Sequence, residues 1–317
     1  MLDGFGRNIY YLRLSVTDLC NLRCRYCMPE EGVCKKSHDE LLTEDEMITA
    51  VTAAASVGIS KLRITGGEPL VKKNILSICS RAAAVKGIEE LCLTTNGTLL
   101  PALAPALRSA GVKRINISLD TLNAEKYAYM TRRGELSQAL DGIESAVEAG
   151  FDSVKINAVL IGGFNDDEIA ALAGLTVKYP VDMRFIELMP MYESGMFGPD
   201  AALSADEVLR RLPQLEPVSS EAGVAEKYRL PGALGCVGLI RPVSRPFCGE
   251  CSRIRLTADG KLKPCLHSSA EISVKGLGLD EMTDRFKKAI LAKPARHGGL
   301  DGEKRSAAGR SMNAIGG

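Results

Sequence analysis

The 317-residue chain has almost no excess charge: 40 Lys and Arg against 39 Asp and Glu leave a net +1. No global basic field draws it to nucleic acid or to an anionic membrane. Any anion site must come from local clusters of Arg and Lys. No apolar run approaches the roughly 18 residues that a membrane-spanning helix needs. The opening Met1-Leu2-Asp3-Gly4-Phe5 lacks the basic region and the apolar stretch of an export signal. These absences predict a cytoplasmic protein with no nucleic-acid and no membrane partner. A Walker A sequence, GxxxxGK followed by Ser or Thr, is missing, so phosphate would have to be held by side chains instead. No internal sequence repeat is evident. With 45% apolar and 25% charged residues, the composition is that of an ordered globular protein. The length provides one large domain, or one and a half, with an ample core.

What the chain does have is ten cysteines, six of them in two groups: Cys20, Cys24, Cys27 and then Cys248, Cys251, Cys265. A secreted disulfide framework is usually short and lacks the βα rhythm seen here. Cys79 and Cys92 read as small core residues on an apolar helix and strand; Cys34 and Cys236 have no assignment. The first group, Cys20-Asn21-Leu22-Arg23-Cys24-Arg25-Tyr26-Cys27, follows a strand-like run, Tyr10 to Val16. Three thiolates in a short loop suit an iron–sulfur cluster, and three leave one iron free to bind something else. The alternative is a buried helix with all three thiols on one face, against which stand the interleaved Asn21, Arg23 and Arg25 and the closing Met28-Pro29. Zinc prefers paired CxxC knuckles, and its catalytic sites usually include His.

Beyond that loop, Thr43-Glu44-Asp45-Glu46 reads as a capping box opening a helix to about Ser56. Strands are expected at Lys61–Thr65, Leu91–Thr95, Arg114–Ser118, Ser153–Leu160 and Met183–Leu188. Helices are expected at about Lys72–Val85, Ala102–Ser109 and Asp166–Val177, with a helical region from Asn123 to Ala149. Counting from Tyr11 gives six strands separated by crossover helices, hence parallel pairing. Six βα units are two short of a closed barrel. Polar and glycine positions gather at the expected strand ends: Gly66-Gly67-Glu68-Pro69, Thr94-Thr95-Asn96-Gly97, Ser118-Leu119-Asp120 and Glu187-Leu188-Met189-Pro190. On parallel βα architectures that end carries the active site. After Met191-Tyr192-Glu193-Ser194-Gly195 the pattern changes, with a short helix near Ala205–Arg211 and Pro- and Ser-containing segments up to Gly235 that suggest a boundary. The division expected is 1–234 and 235–317. The second part has short strands around Ile254–Thr257 and Lys261–Lys263, a helix Asp280–Leu291, and a Gly-rich tail from Arg296 of a kind that is usually flexible.

Gly66-Gly67-Glu68-Pro69 taken alone reads as a strand-to-helix turn, although two glycines also allow close approach to a ligand. The second cysteine group, Cys248-Gly249-Glu250-Cys251 and Cys265, is joined by a hairpin turned at Asp259-Gly260. It fits a structural zinc site, a structural cluster, or a three-cysteine cluster with an open iron; His267 is a candidate fourth ligand. Arg253 and Arg255 share one face of a strand. With Arg13, Arg63 and Lys155 they could converge on a polyphosphate, or simply be exposed.

CxxxCxxC with Tyr26 before the last cysteine resembles the signature of the radical S-adenosylmethionine (radical SAM) superfamily. That resemblance implies an incomplete (β/α)6 TIM-like barrel and a 4Fe-4S cluster whose open iron chelates SAM. Cleavage of SAM then yields a 5′-deoxyadenosyl radical. The stretch Phe247 to Gly260 with Cys265-Leu266 is similar to the C-terminal signature of the GTP 3′,8-cyclase family. Leu12 to Asp18, Cys27-Met28-Pro29, Thr65 to Leu70, Thr94 to Gly97 and the terminal Gly316-Gly317 match that family too; Ser252 departs from a common Asn. The resemblance implies a lyase that cyclises GTP in the first step of molybdenum cofactor biosynthesis, with two 4Fe-4S clusters and SAM. It carries SAM contact to Tyr26, Gly67, Ser118 and Met189, and GTP contact to Arg13, Arg63, Thr94, Lys155, Arg253, Ile254 and Arg255. It carries an active-site role to Gly316 and Gly317. It also implies a flavodoxin- or ferredoxin-type electron donor and a downstream cyclic pyranopterin monophosphate synthase, with the chain a monomer or homodimer. Two rivals stay open: a peptide-modifying radical SAM enzyme with an auxiliary cluster, and a zinc-stabilised binding protein that is not an enzyme.

Overall fold

The structure is a computed structural model that describes residues 1–34, 36–191, 197, 199–219, 224–298, 300 and 306–316. Its first half alternates strand and helix. β1 (Tyr11–Ser15) leads through the cysteine loop to α1 (Glu44–Ser56), then β2 (Lys61–Thr65), α2 (Ile75–Ala83), β3 (Glu90–Thr95), α3 (Leu100–Ser109) and β4 (Arg114–Ser118). α4 (Ala124–Thr131) and α5 (Leu136–Glu148) precede β5 (Ser153–Leu160), and α6 (Ile169–Lys178) precedes β6 (Val181–Glu187). The capping box at α1 is formed: Glu46 N donates to Thr43 Oγ1 (3.2 Å) and Thr43 N to Glu46 Oε2 (2.8 Å).

β1 to β6 pair in parallel in sequence order. β2 is buried along nearly all its length, as expected of a strand covered on both faces. β6 alternates instead: Val181, Met183, Phe185 and Glu187 are buried, while Asp182, Arg184 and Ile186 are half-buried. Its second face therefore opens on space rather than packing. The apolar core lies between sheet and helices, around Leu12, Leu14, Ile64, Leu93, Ile117, Ile156 and Phe185.

Local pattern misplaced several features. The region up to Gly235, expected as a boundary, carries strands of the sheet. After α7 (Asp206–Arg211), β7 (Glu216–Pro217), β8 (Ala225–Arg229) and β9 (Val237–Ile240) extend the sheet beyond β6, with β9 parallel to it. At the other edge β10 (Arg253–Leu256) lies parallel to β1 and is followed by antiparallel β11 (Lys261–Lys263) and β12 (Ile272–Ser273). The result is one open sheet of twelve strands among the described residues. α8 (Leu279–Leu291) packs on α1. The helical region expected from Asn123 to Ala149 holds two helices, α4 and α5, with Arg132 between them at a left-handed φ of 61°. The helix after β2 starts at Ile75, behind a 3-10 turn at Pro69–Val71. The described residues 306–316 of the tail pack onto the molecule: α9 (Met312–Ile315) buries Ile315 and Asn313. No described helix is long and apolar enough to cross a membrane.

Candidate active site

The loop after β1 is held from two sides. Inside, Gly67 N donates to Thr17 O and Glu68 N to Leu19 O, both at 2.8 Å. A Cβ on Gly67 would stand 2.5 Å from Leu19 O and 2.7 Å from Asp18 O. The glycines therefore let two backbones dock, and both also line the cavity described below. Outside, Arg23 N and Arg25 N donate to Thr131 O and Met130 O at the end of α4 (2.9 and 3.0 Å). The Arg25 guanidinium stacks 4.0 Å from the Tyr129 ring centroid, and Arg132 Nη1 donates to Arg23 O (2.9 Å). The Arg23 backbone and Arg25 hold the loop to α4, and Asn21 ties it to Asn96 and Thr98, so the loop is no buried helix.

Two buried carboxyls stand behind this loop. Glu68 accepts from Leu70 N (3.0 Å), Thr95 Oγ1 (2.8 Å) and Asn96 N (2.7 Å), tying the ends of β2 and β3 together. Burial pushes its carboxyl up to about 7 despite those donors. Asp120 accepts from the Tyr26 hydroxyl (2.8 Å) and Val159 N (2.9 Å), and burial pushes it up to about 6. Burial likewise raises the Cys20 thiol to about 11; it raises Cys24 well above its ordinary value, with Cys27 and Asp120 adding to the effect.

The second group sits at the opposite end of the sequence and at the neighbouring strand. Cys248 and Cys251 flank a 3-10 turn just before β10, and Cys265 follows β11 after Pro264. Arg7 Nη1 donates to Cys248 O (2.7 Å), and Lys293 Nζ donates to Cys251 Sγ (3.7 Å). Cys251 is lowered: burial opposes ionisation, but Lys293, Arg253 and Arg7 outweigh it. Among the described residues no cysteine is in a disulfide; Cys79 and Cys92 are buried in the core, as expected.

Both cysteine groups line one cavity of about 630 Å³. β10, β1 and β2 align Arg255 with Arg13 and Arg13 with Arg63, so three arginines form a row across three parallel strands. A second row runs from Thr94 to Asn116 to Lys155. Arg63 donates to the Tyr11 hydroxyl, to Leu93 O (3.1 Å) and to Thr94 Oγ1 (3.3 Å); Lys155 pairs with Asp182 at 2.7 Å. Arg253 lies over the Phe247 ring, 5.2 Å from its centroid. Burial, with the neighbouring arginines, holds Arg255 and Arg184 down at about 10. Cations crowded into a low-dielectric mouth favour an anion.

Of the residues expected at the site, Arg13, Arg63, Thr94, Lys155, Arg253, Arg255, Tyr26, Gly67, Ser118, Met189 and the six cysteines line this cavity. Ile254 does not: its side chain is fully buried in the core. Gly316 reaches the mouth, where its carbonyl accepts from Arg255 Nη1 (2.9 Å) and Arg13 Nη2 (3.5 Å). With φ at +81° and Thr65 Oγ1 2.5 Å from a would-be Cβ, a side chain there is excluded. Gly317 lies outside the described residues. Sequence reasoning passed over Tyr11, Arg184 and Lys293, which also line the cavity. The signal for Arg184 was the alternation of β6; Lys293, beyond the end of α8, gave none.

Among the described residues no three His, Cys, Asp or Glu side chains converge on a point fit for a single metal ion. A mononuclear zinc site needs such convergence. A polynuclear cluster takes each thiolate on a different iron, so two sets of three half-buried thiols fit it. His267 instead bonds Ser306 Oγ through Nδ1 (3.0 Å) and packs edge-on to His297.

The chain matches the radical SAM superfamily over residues 14–176 and "Molybdenum Cofactor Synthesis C" over 181–299. It is 48% identical to a GTP 3′,8-cyclase of Alkaliphilus oremlandii, covering all of both chains. It is 49% identical to one of Peptoclostridium acidaminophilum, covering 96% of this chain and 95% of the relative. Among solved structures, Streptococcus suis SuiB bound to precursor peptide SuiA has a TM-score of 0.68 at 13% identity, over 90% of this chain and 67% of that one. AnSMEcpe with bound AdoMet has 0.60 at 15% identity, over 92% and 79%. At those identities the structural likeness speaks for the fold alone.

Proposed function

The chain belongs to the GTP 3′,8-cyclase family, within the radical SAM superfamily, and from that premise we propose that its barrel mouth converts GTP to (8S)-3′,8-cyclo-7,8-dihydroguanosine 5′-triphosphate. This is the first step of molybdenum cofactor biosynthesis. The family's cofactors, SAM and two 4Fe-4S clusters, would supply abstraction of the C3′ hydrogen of GTP and, once C3′ has bonded to C8, the one electron that with a proton reduces the remaining ring radical to the 7,8-dihydro product. The observation that carries this reading is the single cavity shared by both cysteine triads and the arginine row.

In our reading Cys20, Cys24 and Cys27 hold the first cluster; Tyr26, Gly67, Ser118 and Met189 line the place of SAM. Cys248, Cys251 and Cys265 hold the second, facing guanine. Arg13, Arg63, Arg253 and Arg255 bind triphosphate with charge-assisted hydrogen bonds, joined by Lys155 and Thr94. Ile254 contributes packing beneath the row. Gly316 stands on the arginine row, and by the family resemblance Gly316 and Gly317 assist the radical step. The chemistry needs one hydrogen presented to one radical, so fixing both ends of the substrate is the protein's main task. The division at 234/235 is then functional: both parts hydrogen-bond into one sheet, and the β8–β9 hairpin crosses that point. We further propose a flavodoxin- or ferredoxin-type electron donor, a downstream cyclic pyranopterin monophosphate synthase, and a cytoplasmic monomer or homodimer.

The test is anaerobic reconstitution, iron and zinc analysis, and incubation with GTP, SAM and a reductant. About eight irons per chain, four for each cluster, with 5′-deoxyadenosine and the cyclised triphosphate formed together, is the expected result. About four irons with zinc in the remainder, or SAM cleavage without loss of GTP, overturns it.

A further inference from the structure

Lys293 follows α8 and is 3% exposed. All three protons of its ammonium find acceptors: Arg253 O at 2.7 Å, Pro264 O at 2.9 Å and Cys251 Sγ at 3.7 Å. Those carbonyls stand two residues after Cys251 and one before Cys265. One buried cation thus joins both ligand-bearing arms of the β10–β11 hairpin. Next to it, Arg7 ties Pro294 O (2.7 Å) and Ala295 O (3.0 Å) to Cys248 O (2.7 Å). Arg7 is neutralised by Asp3 at 2.7 Å, whereas Lys293 Nζ donates to two carbonyls and to the Cys251 sulfur. Cys20 differs: its sulfur accepts from neutral donors, Leu22 N (3.4 Å) and Asn96 Nδ2 (4.0 Å).

We propose that Lys293 is a positioning residue for the second cysteine group that fixes its hairpin and, by placing a buried positive charge on the Cys251 sulfur, raises the reduction potential of the cluster held there. The inference rests on the two-cluster reading above. Its physical basis is that hydrogen bonds and charge at the sulfurs set cluster potentials. A fixed cation in a poorly screened site favours the reduced, more negative state. Because the ammonium also binds both carbonyls, it cannot follow the sulfur elsewhere.

The experiment uses the full chain, reconstituted anaerobically with Cys24→Ala so that the second cluster titrates alone, and follows its reduction by electron paramagnetic resonance. Lys293→Gln should lower the reduced-to-oxidised ratio at a fixed solution potential about tenfold, which is about 59 mV for a one-electron couple. Lys293→Arg, which keeps the charge, should stay within about twofold of the lysine protein. An unchanged ratio in the Gln variant overturns the proposal, as does an Arg variant that titrates with Gln. In the chain with Cys24 intact, loss of iron from the second site alone in Lys293→Gln supports the positioning role; equal loss from both sites overturns it. Failure of the two-cluster reading is separate, since it appears as about four irons in the unsubstituted chain.

Discussion

The two cysteine triads share a cavity but stand in opposite electrostatic surroundings. Around the first are two buried carboxyls, Glu68 and Asp120, and the Cys20 and Cys24 thiols are raised. Around the second are Lys293, Arg253, Arg7 and Arg255, and Cys251 is lowered. The difference matches the partners each would take. SAM carries a sulfonium and an ammonium, and an acidic wall favours it; GTP carries a triphosphate, and the basic wall favours that. Mechanical support differs as well. The first loop is docked by backbone against Gly66-Gly67 and α4, whereas the second is tied by the long side chains of Arg7 and Lys293.

The sharpest way to break this comparison is to remove one thiol from each side. Cys24→Ala should abolish both 5′-deoxyadenosine formation and cyclised product. Cys251→Ala should keep reductive SAM cleavage and lose cyclisation; product at the wild-type yield would refute the assignment. Next in size, Gly67→Ala forces a Cβ onto Leu19 O and Asp18 O, an overpacking that should destabilise the chain by about 3 kcal/mol. Thermal unfolding should show the loss, and iron should leave the first site before the second. A variant with full iron and an unchanged midpoint removes backbone docking from the contrast. Arg255→Ala deletes a charged donor in the basic wall and should weaken GTP binding by about 2 kcal/mol with little effect on SAM; equal weakening in calorimetry ends the division of labour between the walls.

The smallest effect is that of pH on the acidic wall. Glu68 is raised from an ordinary 4.5 to about 7, so between those values the folded chain binds more proton than the unfolded one. Stability from this group is complete below pH 4.5, falls as pH rises, and is gone above about 7. The slope is at most about 1.4 kcal/mol per pH unit. Anaerobic unfolding from pH 5 to 7 should show that slope in the parent and lose it in Glu68→Gln. A parallel pair of curves would place the ionised carboxylate in the fold and make the first wall more acidic still.

Much of this contrast was legible in order along the chain. CxxxCxxC, the GGEP turn and the Cys248–Cys265 run are local patterns, and thiolate chemistry follows from spacing. Six βα units were countable because their hydrophobic periods and caps, such as Thr43 with Glu46, act over a few residues. The edges were not legible. β9 is a short strand buried by lying beside β6, and β8 is placed only by pairing with β9 and β7, so the segment before Gly235 read as a boundary. The tail looked loose because its order comes from contacts with distant residues, such as Arg310 with Asp259 and Glu271 (2.9 and 2.6 Å).

By itself, then, the sequence determined the ligand types, the parallel barrel strands and the family to which both belong, since each depends on residues near one another in the chain. Only the tertiary structure decided that β10 would lie beside β1. That pairing sets Arg255 next to Arg13 and Arg63, and brings Arg7 and Lys293 to the second triad and Gly316 to the arginine row. Register between strands some 240 residues apart is set by packing across the whole sheet, and no local pattern encodes it.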